Sequence, residues 1–147
     1  MPEKESTASM KERAQTKQLI EELLTERNQV WTLYCKVAGV EPYQSDKPLT
    51  EQIQEFCQLL VDYISLGHFS IYQRLTNASE QRKSILASAE QIYPQIVQTT
   101  EAALGFNEKY QAAAMPSEGI TDDLSALGNQ LANRIELEDE LISKMLV

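Results

Sequence analysis

Few side chains in this sequence are of the reactive kinds, and their spacing narrows the chemistry open to them. His68 is the only histidine in 147 residues. A di-iron or hemerythrin-like centre in a helical protein needs several histidines, or Glu-x-x-His elements projecting inward from facing helices. Here Ser65 stands where such an element would place its glutamate. His68 is the one residue that offers phosphoryl transfer, but it lies between Gly67 and Phe69, and no lysine follows within a helical turn to stabilise the added charge. A histidine phosphotransfer or phosphocarrier-coupled module using His68 is therefore the alternative function, set against a plain histidine hydrogen-bonded to a neighbouring helix. Cys35 and Cys57 lack CxxC spacing and fall among apolar residues at helical intervals, which predicts small, reduced core side chains. There is no G-x-S-x-G turn and no phosphate-binding glycine loop. Acid pairs on one helix, such as Glu22 with Glu26, are common on solvated faces and are not a sign of acid–base work. An enzyme is not expected, and no metal or cofactor is implied.

Charge bears on partners. The net charge is -9, and it is unevenly spread. Up to residue 37, Glu3, Glu5, Glu12, Glu21, Glu22 and Glu26 balance Lys4, Lys11, Arg13, Lys17, Arg27 and Lys36. From residue 117 onward the only bases set against the acids are Arg134 and Lys144. Phosphate backbones need lysine and arginine to displace counterions, so direct nucleic-acid binding is disfavoured and a basic protein surface is the better partner. No stretch approaches the roughly 18 consecutive apolar residues of a membrane span, and residues 1–8 have no apolar run framed by bases. A cytoplasmic protein without membrane contact is expected.

The elements that would position these residues are helices. Apolar residues recur at steps of three and four in four segments separated by breaker-rich joints, which predicts an all-α, antiparallel bundle of four long helices in one domain over residues 1–147. Residues 1–9 are expected to form a flexible tail. The first helix, about 10–38, carries a stripe of Ile20, Leu23, Leu24, Trp31, Tyr34 and Ala38 and stops near Gly39 and Pro42. After a loop from Glu41 to Pro48, the second helix, about 49–76, is capped by Thr50 and buries Ile53, Cys57, Leu60, Ile64, Gly67 and Ile71. Asn77 and Ser79 make the next turn. The third, about 80–112, has the most regular seam, from Ile85 through Ile92, Ile96, Thr99 and Ala103 to Tyr110, with a kink expected at Pro94. The joint from Met115 to Gly119 leads to a last helix capped by Thr121, with Leu124, Leu127, Leu131, Ile135, Leu141 and Met145 on its buried side.

The second helix has one feature its core stripe does not explain. Asp62, Ser65, Phe69 and Tyr72 step by three, four and three along a direction roughly opposite that stripe. A surface helix needs a single apolar face, so this second face either packs into a central position or awaits a partner. An aromatic anchor beside a carboxylate is what a hot spot for an arginine-bearing helix contains.

The stretch FCQLLVDYISLGHFSIYQRL, from Phe56 to Leu75, resembles the signature of the regulator of sigma D family (Rsd/AlgQ). LIEELLTERNQVWTLYCKVAG from Leu19 to Gly39, YPQI from Tyr93 to Ile96 before TEAALGFN, and LEDELI from Leu137 to Ile142 extend the resemblance over most of residues 19–142. The resemblance implies an anti-sigma factor: a helical bundle that binds the C-terminal, fourth domain of the primary sigma factor (sigma D) and occludes its contacts with core RNA polymerase and promoter DNA, as growth slows into stationary phase. It carries Asp62, Ser65 and Phe69 over as sigma-binding residues, with Tyr34, His68 and Tyr72 as weaker candidates. Other regulatory proteins are left open as further partners, and the sequence does not identify them. The sequence departs from the family at Glu22-Leu23, where members show an Arg-Trp pair, and has Trp31 instead. It stops at Val147 without a basic tail, and Met10 is an alternative start. These departures bear on fine specificity rather than on the general role.

Overall fold

The structure, a computed structural model, describes residues 2–39, 49–68, 83–111 and 119–145. Four helices account for nearly all of them: α1 (Pro2–Val37), α2 (Leu49–Gly67), α3 (Lys83–Tyr110) and α4 (Ile120–Met145). The all-α bundle expected from the periodicity is present. Helical backbone reaches back to Pro2, through the residues assigned to a tail. The predicted loop from Glu41 to Pro48, the turn at Asn77 and Ser79, and Ile71 lie outside the described residues.

Local chemistry sets the helix ends. Gly39 takes φ 73°, a left-handed conformation that a side chain would resist, and its N–H donates to the carbonyl of Lys36 at 3.2 Å. At the start of α4 the carbonyl of Gly119 accepts the N–H of Asp123 at 3.0 Å, so Gly119 occupies the cap position that the sequence suggested for Thr121. Thr50 likewise falls inside the first turn of α2, which begins at Leu49. Pro94 sits on the exposed side of α3, where the carbonyl it frees can be hydrated, and the helix continues through it.

Neighbouring helices run antiparallel and close together from α1 to α2, α2 to α3 and α3 to α4. The backbones of α1 and α4 stay farther apart, and long side chains bridge them: the Tyr34 hydroxyl donates to the Leu124 carbonyl at 2.7 Å, and an Arg27 NH1 lies 2.8 Å from Asp139 Oδ1. The interior is layered along the axis. One end is aromatic, with Phe56 edge-on to Phe106 at 5.8 Å between centroids and Phe106 against Tyr110 at 4.6 Å. The other end is aliphatic, built from Ile20, Ile64, Ile85, Ile92, Leu141 and Met145.

Between them lies a layer of polar and charged side chains. Glu138 is buried on α4 and accepts hydrogen bonds from the Tyr63 hydroxyl of α2 and, at 3.1 Å, from Arg134 Nε. Arg134, also buried, donates onward to Thr99 Oγ1 at 3.2 Å and Thr100 Oγ1 at 2.8 Å, while Thr99 donates to the Ile96 carbonyl at 2.7 Å. Arg27 of α1 approaches Glu138 Oε1 at 3.6 Å. Two guanidinium groups therefore meet Glu138 and Asp139, and the layer is electrically balanced. A buried pair of this kind offsets its desolvation only where further hydrogen bonds support it, as those of Tyr63, Thr99 and Thr100 do for Glu138 and Arg134.

That layer corrects the predicted stripe of α1. Trp31, at 37% exposure, and Ala38 face solvent, whereas Ile20, Leu23, Val30 and Val37 are buried in steps that pass through Arg27. An arginine at a seam position broke the apolar pattern. The stripes of α2 and α3 stand as expected over the described residues, and α4 differs in burying Arg134 and Glu138 among its leucines. Cys35 and Cys57 are free and buried; burial pushes the Cys57 thiol up to about 11 and raises that of Cys35.

Candidate interaction face on helix α2

α2 turns Ile53, Phe56, Cys57, Leu60, Tyr63, Ile64 and Gly67 inward, and this set fixes which residues point away. Glu51, Glu55, Gln58, Asp62, Ser65 and His68 are exposed. The structure therefore places Asp62, Ser65 and His68 on the solvent side of α2 rather than in the core. Phe69 and Tyr72 lie outside the described residues. The Asp62 carboxylate accepts a hydrogen bond from Gln58 Nε2, one turn earlier, at 3.1 Å.

Beside Asp62, a groove of ≈ 550 Å³ separates α2 from α1, lined by Glu21, Glu22, Thr25 and Glu26 with Leu66 across from them. Glu26 is half-buried there. Its carboxyl is held above the ordinary glutamate range, first by burial and then by the negative charges of Asp62 and Glu22. The neighbouring cation does not relieve this, because Arg27 is turned the other way, toward Asp139. Carboxylates crowded at the mouth of a groove repel one another and favour a positively charged group seated between them.

Tyr34 is placed elsewhere. Its ring stacks on Trp31 at 5.3 Å and leans on Phe56 at 6.0 Å, and its hydroxyl is bonded to α4. It lines a second depression of ≈ 300 Å³ with Val37, Leu49, Ile120 and Leu124, near the ends of the helices. The structure does not bring it together with Asp62, and its contacts are those of a strut between α1 and α4.

Two parts of this arrangement escaped the sequence. Glu22 and Glu26 read in the sequence as a pair on an ordinary solvated face, since nothing in one helix reveals that Asp62 stands near Glu26. Arg134 and Glu138 left a visible signal: two opposite charges four residues apart, occupying the seam between Leu131 and Leu141, are in the register of the core. Among the described residues no group of three or more His, Cys, Asp or Glu side chains could hold a metal ion, and no helix is long and apolar enough to cross a membrane.

Comparison with known proteins gives the same family as the motif. The chain is 34% identical over 131 residues to the regulator of sigma D of Yersinia enterocolitica, covering 85% of this chain and 78% of that protein. It is 34% identical over 133 residues to the regulator of sigma D of Enterobacter sp. strain 638, covering 87% and 80%. No solved structure matches it. The family model described as regulator of RNA polymerase sigma(70) subunit, Rsd/AlgQ, matches residues 3–146, and the chain belongs to that family.

Proposed function

We propose that this protein is an anti-sigma factor that binds the C-terminal domain of the primary sigma factor through the exposed face of α2 and the adjoining acidic groove, and so blocks that domain's contacts with core RNA polymerase and promoter DNA. Membership of a family of sigma(70) regulators supplies the partner. The observation that carries the mode of binding is the alignment of Asp62, Ser65 and His68 on the solvent side of α2, beside a groove edged by Glu22 and Glu26. Phe69 and Tyr72, which continue the same sequence stripe, are proposed to supply the aromatic part of the surface, and Tyr34 to act indirectly, by setting α1 against α4. A DNA-reading domain presents arginine and lysine side chains, and a carboxylate-rich face attracts them at long range and pairs with them at contact. Occlusion then needs no chemistry beyond binding. No cofactor enters this function, and its site of action is the cytoplasm, where polymerase is found.

The test is a titration of the protein with the isolated C-terminal domain of the primary sigma factor, followed by gel filtration and calorimetry. A one-to-one complex at micromolar concentration that can no longer associate with core polymerase is expected. Absence of any complex under those conditions would refute the function.

A further inference from the structure

We propose that Tyr63 and the buried Arg134–Glu138 pair are positioning residues: they fix the rotational setting of α2 and thereby aim Asp62 and Ser65 at the partner. The inference rests on the function proposed above. Tyr63 directly follows Asp62 and points the opposite way, with only 1% of its surface exposed. Both of its handles are held by α4: the hydroxyl donates to Glu138 Oε1, and the Arg134 guanidinium lies 5.4 Å from the centre of its ring. Glu138 cannot drift to follow Tyr63, because Arg134 Nε holds its other oxygen at 3.1 Å and Arg134 is in turn tied to Thr99 and Thr100 of α3. α2 is thus referenced to α3 and α4 through directional bonds.

The aliphatic contacts of α2 would not supply this reference. Ile53, Leu60 and Ile64 present aliphatic surface, which packs nearly as well after a small rotation of the helix, whereas a hydrogen bond weakens steeply with angle. A buried charged pair contributes little net stability once desolvation is counted, and its best-attested use is to select one arrangement among several. Rotating α2 about its axis would carry Asp62 toward or away from Glu26 and move Leu66, which lines the α2 side of the groove.

The experiment compares Tyr63→Phe with Tyr110→Phe. Each removes one inward tyrosine hydroxyl bonded to a carboxylate, but Tyr110 donates to Asp123 at the aromatic end, away from the Asp62 face. Affinity for the isolated sigma C-terminal domain is measured where circular dichroism shows both variants folded, and residual dipolar couplings of the free proteins report the direction of the α2 amide vectors. Tyr63→Phe should weaken binding about tenfold and tilt the vectors of residues 58–67 from their wild-type directions, while Tyr110→Phe leaves both unchanged. Glu138→Gln, which keeps Tyr63 intact but weakens its acceptor, should move both readouts in the same direction as Tyr63→Phe. Wild-type vectors in Tyr63→Phe, or an equal loss of binding in Tyr110→Phe, would overturn the proposal. If the wild-type protein fails to bind the sigma domain, the proposed function falls, and the vectors alone decide whether Tyr63 sets α2.

Discussion

Replacing Gly128 by alanine tests the α1–α4 seam, and two effects of opposite sign compete in it. Alanine in the interior of a helix is favoured over glycine by about 1 kcal/mol. At this position, however, the new Cβ would sit 2.8 Å from Tyr34 Cζ and closer still to its hydroxyl oxygen. Tyr34 has little freedom to yield, since Trp31 stacks on it, Phe56 leans against it and its hydroxyl is bonded to Leu124. Displacing it forfeits a hydrogen bond, about 1 kcal/mol, and adds an overpacking cost of about 1–3 kcal/mol. Overpacking wins, for a net loss of about 1–3 kcal/mol. For a chain of this size that lowers Tm by roughly 3–9 °C. Thermal and urea unfolding of Gly128→Ala, Tyr34→Ala and the double variant measure the effect and its origin. With Tyr34 truncated the clash is gone, so Gly128→Ala should become neutral or stabilising. If Gly128→Ala destabilises equally in both backgrounds, or stabilises the native protein, Tyr34 is not seated against Gly128.

Glu26 holds its proton more tightly in the folded protein than in the unfolded chain, so its repulsion is absent well below pH 4.5 and costs stability as pH rises through its raised value. Glu26→Gln should therefore raise Tm at neutral pH and leave it unchanged in acid; an unchanged Tm at both would show that the groove does not strain this carboxylate. Asp123 behaves oppositely: the hydrogen bonds from Lys109 and then Tyr110 hold its carboxyl below the usual range, so what it contributes is present above pH 3.8 and is lost as pH falls through the lowered value. In Asp123→Asn the acid limb of the stability profile should flatten, as followed by urea unfolding at a series of pH values. Asp62→Ala, at an exposed position, should change stability by about 0.5 kcal/mol or less and weaken binding of the sigma C-terminal domain by on the order of 2 kcal/mol or more. A stable Asp62→Ala protein with undiminished affinity shows that Asp62 is not a contact. Cys57, with its thiol pushed up to about 11, should resist alkylation at mildly alkaline pH until the protein unfolds, and labelling at the rate of a free thiol would contradict its burial.

The helices were legible in the sequence because a bundle writes its core as a three-four repeat. α2 and α3 bury the residues that repeat selects, and Asp62, Ser65 and His68 emerge on the outside for the same reason. α1 was misread where the repeat is written with a charge. Arg27 holds a seam position in α1, so an apolar repeat runs instead through Trp31 and Ala38, which are exposed. A guanidinium enters the interior only if other helices supply its acceptors, and those acceptors, Glu138 and Asp139, are more than a hundred residues away in the chain. The groove was hidden for a related reason. Glu22 and Glu26 are ordinary surface acids in one dimension, and only the packing of α2 on α1 half-buries Glu26 and sets Asp62 near it. The helix caps depended on single-residue boundaries, at which Gly119 displaced Thr121.

The separation of α1 from α4 also has a kinetic meaning. α1 with α2, and α3 with α4, are hairpins whose contacts are short in sequence, and contacts of that kind close quickly during folding. Closing the seam joins residues such as Tyr34 and Leu124 that are 90 positions apart, with the entropic cost of a long loop. The fold is thus expected to assemble as two hairpins that dock through α2 and α3, with the Arg27 and Tyr34 bridges made after the main barrier. Bonds absent from the transition state govern the rate of unfolding rather than of folding. The lifetime of the native bundle therefore depends on a few long side chains along one edge, and opening along that edge is expected to part the α1–α2 hairpin from the α3–α4 hairpin, each of which stays packed on itself.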